Sequence, residues 1–366
     1  MTTALGSATP PFCPNPGCVH HRAPGTCWRW VRNGRFSRLS TPRRVQRYQC
    51  RACRRHFSDQ TFRTTYWLRR PDLLPRIFHR LLGCSGFRQI AREFAASPQT
   101  VATHAARLGR HCLLFHELHR PHGPFTEPVV LDGFESFEFS QFHPTRYHVC
   151  AGQRSHFFYG YTDSELRRSG RMTEAQKRHR LRLEVRLGRP DPRSSETEVS
   201  ELLRLLAPQR QELVLHSDEH TGYPRALMRL RHLTVTHRTT RSRAARTPAN
   251  PLWAINLLDL LIRHSSANHK RETIAFSKRR QSAIERLWVL LVWRNYLKSF
   301  SERKHDATPA MRLGLLERPL LVAELLRHRM FPSRVRLPAR WARYYWREVA
   351  TRAIPAGRQH RCVMAC

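Results

Sequence analysis

Acidic residues are scarce in this chain: 27 Asp and Glu stand against 65 Lys and Arg in 366 residues, a formal net charge of +38. Such a balance excludes an ordinary near-neutral soluble enzyme. It makes a polyanion the expected partner, because a strongly positive field gathers phosphates and releases their counterions. Lysine is scarcer still, occurring only at Lys177, Lys270, Lys278, Lys298 and Lys304, so nearly all the positive charge is arginine. A G+C-rich coding bias accounts for arginine over lysine but does not suppress Asp and Glu, so the excess itself points to nucleic acid. Long apolar runs are also lacking. The longest unbroken one, 287–293, falls far short of the roughly 20 residues that span a bilayer, as does 257–262, which Asp259 interrupts, and no long basic amphipathic helix with a clean apolar face offers a membrane-surface anchor. The opening residues have neither the basic start nor the apolar core of a signal peptide. A cytoplasmic, nucleoid-associated protein with no membrane partner is expected.

What the chain does have is a 40 % hydrophobic fraction, enough for real cores in two or three domains. Five of its ten cysteines fall between 13 and 53, which in a reducing compartment points to metal rather than disulfides. Cys13 and Cys18 enclose four residues, and Cys50 and Cys53 enclose two. These spacings let two pairs present four thiolates to one tetrahedral Zn²⁺, with Pro14, Pro16 and Gly17 permitting the tight turn. With Tyr48 and Phe57 as a small aromatic plug, residues 10–60 read as a zinc ribbon. His20, His21 and Cys27 remain alternative ligands beside the first pair. Four protein ligands leave no open position, so this zinc is structural.

Apolar positions at helical spacing mark residues 70–122 as a helical domain. Within it, 87–94, the turn Ala95-Ala96-Ser97 and a second helix from Pro98 have helix-turn-helix spacing. Ser97 suits the N-cap, and Pro98 suits the first helical position, where its missing N–H costs nothing. The exposed residues of the second helix would be Gln99, Thr100, Thr103, His104 and Arg107, suited to base edges and phosphates of a major groove.

From Pro128 the pattern turns to strands, followed by alternating helices and strands, which predicts a mixed α/β domain over 126–300 with a basic, partly helical insertion near 167–193. Two of the rare acids sit in the same context: Asp132 ends the apolar run 129–131, and Asp218 ends 213–217. Carboxylates held at strand ends can share divalent cations, and a pair of Mg²⁺ ions stabilises both attacking and leaving oxygens of an in-line phosphoryl displacement. Residues 301–366 form a basic helical segment whose Trp341, Tyr344, Tyr345 and Trp346 suit either stacking on DNA or a packed cap.

The paired cysteines, the helix-turn-helix, the two strand-end aspartates and the stretch from Ile255 to Arg279 together resemble a bacterial insertion-sequence transposase of the DDE type, over roughly residues 10–305. The segment 271–278 is similar to the stretch that follows the third catalytic position in that family. The resemblance implies an RNase H-like mixed sheet with flanking helices and two catalytic Mg²⁺. It also implies cleavage at the element's ends, attack of the freed 3′-hydroxyl on target DNA, and a homo-oligomer assembled on double-stranded DNA. The alignment places Asn256 where the family carries a glutamate. Asp259, one turn later, interrupts an apolar helix, where an ionised carboxylate requires a partner. It is therefore the expected third catalytic ligand with Asp132 and Asp218, ahead of Glu272 and Glu285, which read as a surface ion pair and a helix-end charge. The missing glutamate keeps open a DNA-binding regulator with an inactive catalytic relic. A structure-specific nuclease would share the metal site without joining 3′-ends to target.

Overall fold

The computed structural model describes residues 9–25, 27–303 and 306–354. Three antiparallel strands come first, β1 (Trp30–Ser37), β2 (Arg44–Cys50) and β3 (His56–Ser58), followed by helices α1 (Leu73–Leu82), α2 (Phe87–Glu93) and α3 (Pro98–His119). The next stretch holds β4 (Val129–Phe137), β5 (Pro144–Gly152), β6 (Phe158–Glu165), α4 (Glu174–Leu187), α5 (Ser194–Leu206), β7 (Gln211–Ser217), α6 (Gly222–Leu227), β8 (Leu233–Thr239), α7 (Trp253–Ser265) and α8 (Arg280–Val292). Three short helices close the described chain, α9 (Pro309–Arg312), α10 (Val322–Leu325) and α11 (Ala339–Tyr345). Residues 355–366, the end of the expected C-terminal segment, lie outside the described residues.

The architecture is mixed α/β. Its five-stranded sheet runs β6-β5-β4-β7-β8. β4, β5 and β6 form an antiparallel meander, while β7 and β8 run parallel to β4 and to each other. Where the sequence suggests a break after Asp132, β4 continues unbroken, because β5 pairs with it over its whole length. α6 is too short to show a period and is not foreseen.

Ser97 caps α3 as expected: its hydroxyl accepts from the Thr100 N–H at 3.0 Å. The helix then runs on for 22 residues, far past a recognition helix, because Cys112, Leu113 and Leu114 are buried in the same core as the sheet. α3 lies directly on α8, and a Cβ at Gly109 would run into the Glu285 backbone. The boundary expected near 122–126 is therefore crossed by one continuous apolar core, from Leu68 to Val349.

The cysteine module has its own small cluster, Trp28, Tyr48 and Phe57 with the thiols, too little to hold roughly 50 residues without a metal or a neighbour. The neighbour is the C-terminal segment. Phe331 packs edge-on against Phe12 at 5.1 Å, His21 meets Ser333 Oγ at 2.8 Å, and Thr64 Oγ1 donates to the Leu326 carbonyl at 2.6 Å.

Three of the four C-terminal aromatics form a cap: Trp341, Tyr344 and Tyr345 are buried and so are not surfaces for stacking on DNA, while Trp346 is exposed. Trp341 lies over Gly160 of β6, where a Cβ would strike the indole, and its Nε1 donates to the Tyr161 carbonyl at 3.0 Å. Beside it Asp163 is fully buried, accepting from Arg280, from Arg340 at 3.0 Å and from the Tyr344 hydroxyl. Burial opposes its charge, but the two guanidiniums outweigh that and hold the carboxyl below its usual range. Replacing Asp163 by Asn leaves two buried arginines short of an anion. The expected cost is about 3–5 kcal/mol, read as a fall in the denaturation midpoint and earlier proteolysis of the C-terminal segment; an unchanged midpoint would show that the cluster is dispensable.

Candidate functional site

The four paired cysteines converge. Cys13 and Cys18 come from the loop before β1, Cys50 from the end of β2 and Cys53 from the turn after it. Their sulfurs all lie within 4.8 Å of one another, with Cys13 to Cys53 at 3.5 Å and Cys18 to Cys50 at 4.0 Å. Tetrahedral zinc with bonds of about 2.3 Å sets its sulfurs roughly 3.8 Å apart, so the cluster is compatible with a zinc site. The Trp28 indole N–H donates to Cys50 Sγ at 3.4 Å. Against the penalty of burial, the backbone N–H groups of Cys53 and Ala52 and that indole pull the Cys50 thiol down to about 6, whereas burial pushes Cys13 and Cys18 up. The alternatives are occupied or outside: His21 Nδ1 sits 2.7 Å from the Cys13 carbonyl, His20 Nδ1 sits 3.1 Å from the Pro24 carbonyl, and Cys27 is exposed.

On α3, Gln99 and Thr103 are exposed and Thr100 is half-buried at the cap. His104 corrects the expectation: it is buried, its ring nitrogens 2.8 and 3.1 Å from the carbonyls of Thr100 and Arg70. Arg107 is half-buried and donates to the carbonyls of Thr64 and Tyr66 at 2.8 and 2.7 Å. Both brace the linker from the cysteine module, which covers this face of the helix.

The aspartates are brought together by the sheet. Val130 of β4 lies opposite His216 of β7 in a parallel pair, which puts Asp132 and Asp218, each two residues on, at the same height on neighbouring strands. The Gly133 N–H donates to Asp132 Oδ1 at 2.6 Å, and the His220 N–H donates to Asp218 Oδ1 at 3.1 Å. Burial, reinforced by the charge of Asp218, raises Asp132 above its usual range despite that N–H. Asp259 comes from the middle of α7, which packs over β4 and β5. It is pushed up to about 7 by burial and then by Asp132, with Arg263 and Arg246 opposing. Its Oδ1 is buried with no hydrogen-bond partner among the described residues.

The competing acids stand elsewhere. Glu272 is exposed, and Glu285 is buried in α8, paired with Arg347 at 2.9 Å. Asn256 is half-buried one turn before Asp259.

Tyr223 on α6 is absent from the residues anticipated. It is buried, and its hydroxyl is raised well above its usual range by burial and by the charges of Asp132, Asp218 and Asp259 together. It is the group on which all three carboxylates act. A basic rim adjoins it: Arg146 of β5 pairs with Glu135 at 2.7 Å and reaches His220 Nε2 at 3.1 Å, while the His220 and Tyr223 rings lie 5.7 Å apart.

No protein-family model matches the sequence, and no curated protein matches it. Among solved structures, the simian T-cell lymphotropic virus intasome in complex with PP2A regulatory subunit B56 gamma is similar at 14 % identity, over 68 % of this chain and 74 % of that one, with a TM-score of 0.27. Among the described residues no helix is long and apolar enough to cross a membrane.

Metal analysis of the full chain should return one equivalent of zinc that Cys50→Ser removes and Cys27→Ser retains. Undiminished zinc in Cys50→Ser would move the site elsewhere.

Proposed function

We propose that this chain is a metal-dependent DNA phosphoryl transferase of the insertion-sequence transposase type, cutting at element ends and joining the freed 3′-hydroxyls to target DNA. The observation that carries this reading is the meeting of Asp132, Asp218 and Asp259 from two neighbouring strands and the helix above them, with a buried Asp259 oxygen lacking a partner. Three antiparallel strands followed by two parallel ones, with carboxylates on the first and fourth strands and on the helix after the fifth, support an RNase H-like catalytic domain over 126–300. Residues 10–60 act as a zinc ribbon. Residues 70–122 carry a helix-turn-helix, with Gln99, Thr100 and Thr103 left to face DNA.

Carboxylate oxygens are the donors that divalent cations such as Mg²⁺ take. Carboxylates that raise one another's pKa in a half-buried site are unfavourable alone, and an orphaned oxygen there is unsatisfied. Asp132, Asp218 and Asp259 would hold two Mg²⁺, which when bound supply charge neutralisation at the reacting phosphate. The chain's own part is positioning. Arg146, Arg246 and Arg263 draw the DNA backbone to the carboxylates, and the buried Tyr223 hydroxyl beside them is kept protonated by burial and by their charge. Double-stranded DNA is the partner, and a homo-oligomer brings two element ends together.

The test is Mg²⁺-dependent cleavage and strand transfer on a labelled duplex carrying the inverted repeats that flank the gene, with DNA binding measured in parallel. Asp132→Asn, Asp218→Asn and Asp259→Asn should each lower cleavage roughly a hundredfold or more while binding persists, and Glu272→Gln should cut normally. Retained cleavage in Asp259→Asn with loss in Glu272→Gln would hand the third position to Glu272. Specific binding by a wild type that never cuts would favour the regulator.

A further inference from the structure

The basic insertion between β6 and α5 is not used by the mechanism above. Its helix α4 has no fully buried side chain. It is held by its own cap, by ion pairs and by the Phe142 ring, which meets His179 at 4.6 Å. Thr173 and Gln176 cap it reciprocally at 3.3 and 3.0 Å, and Glu184 on the inner face takes Arg167 at 2.8 Å and Arg180 at 3.5 Å. Arg352 donates to the Leu187 carbonyl at 2.9 Å.

The outer face is different. Arg178, Arg182 and Arg186 are exposed and recur every four residues, with no hydrogen bond or ion pair to any of them among the described residues. Like charges at this spacing repel by a few tenths of a kcal/mol per pair, and on the outer side only Lys177 with Glu174, at 2.7 Å, forms an ion pair. A rigid helix that keeps an uncompensated row of guanidiniums is built to meet an anion.

We propose that α4 is an arm that lies along the phosphate backbone of a DNA duplex whose reacting phosphate sits at Asp132 and Asp218. The inference rests on the DNA-handling function proposed above. Three observations carry it. The row repeats about every 6 Å along the helix axis, close to two phosphate steps of roughly 3.4 Å on one strand. β6 runs in the same direction as β4, and Asp132, Val149 and Tyr161 share one line across the sheet, so α4 leaves from the end of the sheet that carries the aspartates. β6 is two strands from β4, about 10 Å, within the width of a duplex. Charge decides the occupant: a second copy of a +38 chain brings a surface of the same sign, whereas DNA brings the opposite one. The exposed Leu181 and Val185 lie between the arginines and add no competing apolar patch.

The experiment is a salt titration of full-chain protein with a random-sequence duplex of about 30 base pairs, followed by fluorescence anisotropy without Mg²⁺. The triple variant R178A/R182A/R186A should fold as the wild type, since α4 has no fully buried side chain and alanine favours helix. Its slope of log affinity against log salt should be shallower by about 2.7, or 0.9 for each lost phosphate contact. R178K/R182K/R186K should restore the slope. R204A/R210A/R231A removes three exposed charges from the opposite end of the sheet and should leave it unchanged. An unaltered slope in the arm variant, an equal change in the control, or a change of oligomeric mass in the arm variant would overturn the proposal. Because binding is read without cleavage, failure of the arm leaves the catalytic reading intact, and a wild type that binds but never cuts leaves the arm intact.

Discussion

A carboxylate with no access to solvent, Asp163, meets Arg280, Arg340 and the Tyr344 hydroxyl where β6, α8 and α11 come together, and the arrangement of the C-terminal third follows from it. Burying a charge is costly, and its own partners offset that cost only when each lone pair is used. In a chain so rich in arginine the rare acids recur at such points. Glu117 is buried with Arg120 at 2.7 Å, and Glu285 with Arg347 at 2.9 Å. Glu127 accepts from the N–H groups of Arg154 and Ser155 at 2.8 and 2.9 Å. The positive surface and the acid-studded interior are two sides of one composition.

Against that background the three candidate carboxylates are exceptional. Most buried acids elsewhere are met by a guanidinium or by N–H groups, whereas here carboxylates act on one another: Asp218 raises Asp132 and Asp132 raises Asp259, which also keeps an unmatched oxygen. Glu138 and Glu198 also keep an unmatched oxygen, so what singles out this place is the convergence of three carboxylates from two strands and a helix, the kind of arrangement in which chemistry is expected.

The sequence shows some of this directly. Cysteine spacing identifies the thiolate cluster because four sulfurs within 53 residues must be folded together by short turns. Asp218 is legible because an apolar run ending in an acid is a strand end, Asp132 because the same kind of run precedes it although β4 carries on beyond it, and Asp259 because it breaks an apolar helix. Asp163 is not legible: it sits in the polar-looking end of β6, and its partners lie 117 and 177 residues away. Tyr223 is hidden in a six-residue helix, too short to show a period. His104 and Arg107 have the right spacing for an exposed face, but periodicity says nothing of what covers it, and here the cover is residues 64–70. α3 outruns its expected length because its second half serves the sheet.

The seating of the cysteine module on residues 326–335 joins positions 312 residues apart. The four sulfurs can be gathered by nearby turns, whereas the surface that seats the module, at Phe331 and Ser333, lies far along the chain. A product cut before residue 326 keeps the cysteines and loses the surface that orients them, so the module's place in the molecule depends on a contact that its own sequence does not contain.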